Sequence, residues 1–268
     1  MPVAVWNIKE VFAMNVRIRF SKTGSMKYIG HLDMLRYFQK ALRRAKLPVR
    51  LTEGYNPHQI MAFALPLGVG ITSNGEYMDI ELTKEVALSQ IVFVLNQTMV
   101  PEIQILSAIT LPAKSKNAMA AVTRATYLIY YKQLNKNILS VNNLLKNAMD
   151  FYQNPEIIIT KKTKKSERMI DLKPLIYDFY GACFDADFSL KYPYFDRTSD
   201  KFLLTDNDVY FYIELSAGSV DNIKPELFFD ALMEHLGYQS TDYNIGCHRL
   251  DLFQNIESET VSLGKALI

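Results

Sequence analysis

Two histidines flank a run of cations in this 268-residue chain. His31 follows Gly30, and His58 closes the loop Glu53-Gly-Tyr-Asn-Pro-His58. Two imidazoles sharing a pocket can divide general-acid and general-base work, as in RNA cleavage through the 2′-hydroxyl. Each lies beside a turn, where an imidazole more often bonds the local backbone. Neither has companions at zinc-ligand spacing, so no metal is expected. Arg36, Lys40, Arg43 and Arg44 lie between them, and Arg17, Arg19, Lys22 and Lys27 precede them. Such clusters suit a phosphate backbone, because each neutralised phosphate releases counterions. Tyr28, Tyr37 and Tyr55 are interleaved with them, and tyrosine rings can stack on unpaired bases. A second group, Lys161, Lys162, Lys164, Lys165 and Arg168, falls at the tip of a predicted hairpin that can clamp a strand. A solvated loop fits that composition equally.

The charge is unevenly placed. The formal net charge is only +2. Between Asn15 and Arg50, however, stand ten Lys or Arg and one acid, Asp33. Between Thr205 and Glu234 stand seven acids and one cation, Lys224. A basic front and an acidic back point to one face that meets a polyanion. Glu76, Asp79 and Glu81 share one strand and read as exposed acids rather than a magnesium site. Cys183 and Cys247 form neither a CxxC pair nor a zinc spacing, which fits a reducing cytoplasm. No apolar run is long enough to cross a bilayer as a helix, so no membrane contact is expected. No phosphate-cradling glycine loop, HExxH or GxSxG is present, and two cysteines cannot supply three iron-sulfur ligands. No cofactor and no independent catalytic activity are expected.

The elements that position these residues follow from periodicity. Val16-Arg-Ile-Arg-Phe20 alternates as a half-buried strand. Leu32, Leu35, Phe38, Leu42 and Ala45 recur at helical spacing and predict a core face, with the cations opposite. Strands are predicted at 49–51, 60–69 and 76–82, with Gly75 as a turn, then a helix over 84–97 and a strand over 103–111. A similar order recurs. A strand at 126–132 and a helix at 141–152 lead to a hairpin of 156–160 with 169–179. A strand at 209–215, a helix at 225–236 and a strand at 243–253 complete it. The expected fold is α+β, as two ferredoxin-like β-α-β-β-α-β halves. The expected divisions are an extension, 1–13; a first domain, 14–111; a linker, 112–122; a second domain, 123–255; and a tail, 256–268. Residues 181–206 fit no element.

The run RIRFSKTGSMKYIGHLDMLRYFQKALRRAKLPVRLTEGYNPH, followed by FALPLGVGITSNGEYMDIEL, resembles the radical-SAM-linked protein family over roughly residues 17–82. RMIDLKPLI and NIKPELFFDAL resemble that family's later segments, with Lys173 and Lys224 where arginine is expected. Gly30 stands where a serine is usual, which removes a side-chain cap from the helix. The resemblance implies a partner, a radical-SAM protein with a cobalamin-binding-type domain, and no reaction. The leading expectation is an accessory protein that binds RNA or presents a substrate to that enzyme. The alternatives are an RNA-processing enzyme using His31 and His58, and a module whose basic face binds an acidic protein.

Overall fold

Period-two alternation places Val16, Ile18 and Phe20 of strand β1 (Met14–Lys22) in the core, with Arg17 and Arg19 on the opposite face. The computed structural model describes residues 14–134, 141–162, 167–185, 187–195, 204–205, 208–219, 221–239 and 242–266; the side chains of 132–134, 141, 161 and 162 fall outside it. The expected extension, 1–13, also lies outside the described residues.

After β1 come helix α1 (His31–Arg44), β2 (Met61–Phe63), β3 (Thr72–Leu82), α2 (Leu88–Asn96) and β4 (Ile105–Leu111). These strands lie in the antiparallel order β4-β1-β3-β2. The turn α3 (Ala118–Ala121) leads to β5 (Val122–Leu134), α4 (Val141–Tyr152), β6 (Ile158–Lys162), β7 (Glu167–Asp171) and β8 (Ile176–Cys183). Then follow α5 (Phe188–Lys191), β9 (Val209–Ser216), α6 (Pro225–His235), β10 (Tyr243–Ile256) and β11 (Glu259–Ser262). The second half runs β10-β5-β9-β8, again antiparallel, with β6 and β7 forming a separate two-stranded sheet. In each half the main strands thus stand in the order fourth, first, third, second. The class is α+β.

The halves are joined edge to edge. β3 and β10 pair in parallel, with Thr72 opposite His248 and Ser73 opposite Arg249. One nine-stranded sheet results. One core lies between α1, α2 and the first half; a second lies between α4, α6 and the second half. A third, rich in aromatic rings, covers the other face of the second half.

Several expectations change. Leu32 is exposed, and Met34, Phe38, Ala41 and Leu42 are the buried residues of α1. The inward stripe is therefore rotated towards Met34 and Ala41, with Leu35 and Ala45 at its partly buried edge. Segment 49–51 forms only isolated bridges. The expected return strand 169–179 is divided in two, because Pro174 sits in a 3-10 turn between β7 and β8. Residues 112–122 are not a free connector: α3 buries Ala118 and Ala121. The expected tail pairs as β11 with β10 and buries Leu263. Within 181–206, the described Phe184, Phe188, Tyr192 and Leu204 build the third core.

Gly75 is not a turn. It lies inside β3, where Asn74 and Gly75 stand opposite the single residue Ser21, between the pairs Lys22–Ser73 and Phe20–Glu76. This bulge brings β3 against β10 so closely that a Cβ on Gly75 would lie 2.4 Å from the Asp251 Cα and the Leu250 carbonyl oxygen. Gly75→Ala is expected to destabilise the protein by about 1–3 kcal/mol, as overpacking does. Gly30→Ser, into open space, should change stability by only a few tenths of a kcal/mol. Urea unfolding midpoints check both; equal midpoints for the two variants would contradict the close approach.

Candidate functional site

Helix α1 carries its cations where expected. Arg36, Lys40, Arg43 and Arg44 are all exposed, and the spacing of Arg36, Lys40 and Arg43 sets them on one stripe. Arg36 lies 3.2 Å from Asp33, but both are well exposed, so the pair holds little. Arg44 donates to the Thr98 carbonyl at 3.0 Å and anchors the helix end. The helix starts at Gly30 without a side-chain cap. Tyr55 stands fully exposed in the 53–58 loop.

The cations upstream of α1 do other work. Arg17 is buried, with Nε 2.8 Å and Nη2 3.0 Å from the Asp79 carboxylate. Lys22 is buried and donates to the Ile29 carbonyl at 2.7 Å. Lys27 is buried with its ammonium 5.3 Å from the Tyr28 ring. These three cannot present charge to a polyanion. Arg19 donates to the carbonyls of Asn74 at 2.9 Å and Leu250 at 3.2 Å, and remains partly exposed. Glu76, Asp79 and Glu81, expected as exposed acids, each pair with a different arginine: Arg249, Arg17 and Arg50.

The two histidines do not meet. His31 packs edge-on against Phe63, with ring centroids 5.6 Å apart. His58 is exposed, with Nδ1 3.1 Å from Thr52 Oγ1. No hydrogen bond or ring contact joins them among the described residues, and the small cavity that His31 borders is not lined by His58. In the second basic group, Arg168 is exposed on β7 opposite Lys161. Lys164 and Lys165, and the side chains of Lys161 and Lys162, lie outside the described residues.

The densest polar constellation lies at the seam between β3 and β10. Arg249 is 1% exposed and pairs with Glu76 through Nε at 2.8 Å and Nη2 at 3.1 Å. Nη2 also donates to the Leu65 carbonyl at 3.1 Å. Burial alone would lower the Arg249 pKa, but the adjoining Glu76 carboxylate raises it overall, so the guanidinium stays charged. Burial holds Lys22 below its ordinary value, with Glu76 opposing and Arg249 reinforcing that shift.

Beside this pair, Asn74 Nδ2 donates to the Tyr194 carbonyl at 2.6 Å and lies 3.0 Å from His248 Nε2. The carbonyl fixes which end of the amide is the donor. Nε2 therefore accepts, and the proton sits on Nδ1, which donates to Thr72 Oγ1 at 2.8 Å.

Both strands bulge here. Leu250 is an extra residue of β10, between the pairs Arg249–Tyr127 and Asp251–Thr126. The bulges aim Arg249 and Glu76 at the helix-covered face and Asn74 and Asp251 at the other. A small cavity of about 20 Å³ lies on the first side, bordered by Lys22, His31, Phe63 and Glu76. A larger one, about 290 Å³, lies on the second, bordered by Arg19, Asn74 and Asp251. A wider groove, about 790 Å³, lies away from both, between β6 and α6. Glu156, Glu167, Asp230 and Glu234 line it, so its charge opposes that of α1.

A family model matches residues 15–225, from β1 to the first residue of α6. The chain belongs to that family, DUF2344, described as an uncharacterized protein conserved in bacteria. Comparison with curated proteins gives no match. The DUF2344 match includes α1 and Glu76, whereas His248 and Arg249 follow it in the chain. Sequence reasoning missed this constellation. Its signals were an Asn-Gly pair and a His-Arg pair, each embedded in an apolar strand pattern.

Burial lowers the His248 pKa from 6.5 to about 3. The unfolded chain therefore binds a proton that the folded one refuses. Stability is full above about pH 6.5 and falls with acid towards about pH 3, with a limiting slope of about 1.4 kcal/mol per pH unit from this group. His248→Gln is expected to flatten that limb. Urea unfolding between pH 4.5 and 7.5 measures it; identical slopes for variant and wild type would contradict the buried neutral imidazole.

Proposed function

We propose that this DUF2344 protein is an RNA-binding or substrate-presenting accessory of a radical-SAM enzyme, with the outer face of α1 as its polyanion contact. The observation that carries the reading is the stripe of Arg36, Lys40 and Arg43. These three are exposed, whereas Arg17 and Lys22 nearby are committed inside the fold. Phosphates reward such a stripe through counterion release. The radical-SAM partner rests on the sequence resemblance over residues 17–82. The fourth-first-third-second strand order supports reading both halves as ferredoxin-like units. Two cysteines held as thiols suit a cytoplasmic setting.

One observation favours a protein partner on the same surface. Tyr28 and Leu32 are exposed where α1 begins, and the bond from the Gly70 amide to the Lys27 carbonyl brings exposed Val69 close to Tyr28. Cations rimmed by apolar side chains also suit an acidic protein.

RNA affinity is expected to fall with salt at a log-log slope of about −2, from three contacts at about −0.7 each. The triple reversal Arg36→Glu, Lys40→Glu, Arg43→Glu should weaken binding at least tenfold and reduce the slope. Filter binding across a salt series, with co-purification of the radical-SAM neighbour before and after RNase, tests the proposal. Unchanged affinity in the reversal variant would refute RNA docking on α1; an acidic partner retained after RNase would favour the protein reading.

A further inference from the structure

The cavity on the side of the seam away from α1 has the composition of a binding site. It encloses about 290 Å³ at the junction of the two halves, where β1 and β3 meet β10 and β5. That is the lower end of ligand-pocket sizes, enough for one base-sized ring. Tyr194, Phe195 and Phe253 supply aromatic walls. Arg19 and Lys191 supply two cations, and Asn74 and Thr126 supply hydrogen-bonding groups.

The one carboxylate at the rim, Asp251, is already committed. It accepts from the Tyr77 hydroxyl, from Ser262 Oγ at 2.9 Å and from the Leu252 amide at 2.9 Å. Arg19 spends Nε and Nη2 on the Asn74 and Leu250 carbonyls, and Nη2 also lies 3.7 Å from Asp251. With Lys191 added, the cavity sets two cations against one carboxylate, and its net charge is positive.

The walls are held in place from below. Asn74 bonds the Tyr194 carbonyl, and Phe195 packs edge-on against buried His248 at 5.1 Å. Lys191 lies 4.3 Å from the Tyr180 ring, which stacks on Tyr212 at 4.9 Å, so the aromatic surface continues onto β8 and β9.

We propose that this cavity binds a nucleotide, its base stacked on Tyr194 and Phe253 and its phosphate held by Arg19 and Lys191. Aromatic faces accept any base, and the paired cations select the phosphorylated form. The site is separate from α1, which packs on the opposite face of the sheet. A free nucleoside monophosphate and one nucleotide of a single strand present the same chemistry.

Titration calorimetry of the full chain with the four ribonucleoside 5′-monophosphates, the matching nucleosides, inorganic phosphate and a short single-stranded RNA tests the proposal. At least one monophosphate should bind saturably, at least tenfold more tightly than its nucleoside or phosphate alone. Tyr194→Ala and Lys191→Ala, both at exposed side chains, should each weaken it at least about fivefold with an unchanged melting temperature. The α1 triple reversal should leave monophosphate binding intact, so the two sites fail independently. Tighter binding of the RNA, displaced by monophosphate, identifies a strand as the source. Monophosphate binding that the RNA does not compete with identifies a free nucleotide. Absence of saturable binding by every monophosphate, or wild-type affinity in both variants, would overturn the proposal.

Discussion

Arg249 and Glu76 belong to different halves of the chain and have no water to turn to. A guanidinium and a carboxylate buried this deeply are tolerated only as a pair with their remaining donors satisfied. Arg249 uses Nε and both donors of Nη2 in this way, with two bonds to Glu76 and one to the Leu65 carbonyl. The backbone pairing between β3 and β10 spans just two residue pairs. The charge pair therefore does much to fix how the halves meet, and specificity of assembly is the role that buried ion pairs serve best.

What surrounds the pair depends on that register. The bulges at Gly75 and Leu250 turn alternate residues to opposite faces of the sheet. On the helix-covered face they set Glu76 next to Lys22 and under His31. On the open face they set Asn74, Arg19 and Asp251 at the floor of the aromatic cavity. The cationic stripe of α1 depends on the seam only indirectly, through the core that Phe38 and Leu42 share with β1 and β3. The polyanion face and the nucleotide cavity are thus two surfaces on opposite sides of one sheet.

Local patterns showed much of this in the sequence. Alternation in β1 and the helical spacing of α1 were legible, because each needs only near neighbours to form. The two-part repeat of elements was legible for the same reason. The exposed positions of Arg36, Lys40 and Arg43 followed directly from the helix. The fates of Arg17, Lys22 and Glu76 were not legible. Their partners, Asp79, the Ile29 carbonyl and Arg249, are set by strand pairing or by a local turn. Gly75 misled because an Asn-Gly pair marks turns far more often than bulges. That His31 packs on Phe63 while His58 bonds Thr52 depended on tertiary placement, which no periodicity encodes.

A double-mutant cycle on Glu76→Leu and Arg249→Met tests the seam most directly, read from urea unfolding free energies. Each single change leaves an unpaired buried charge and is predicted to cost about 3–5 kcal/mol. The double variant is predicted to cost at least about 2 kcal/mol less than the sum of the two. Strictly additive costs would contradict the claim that this pair holds the two halves of the sheet together.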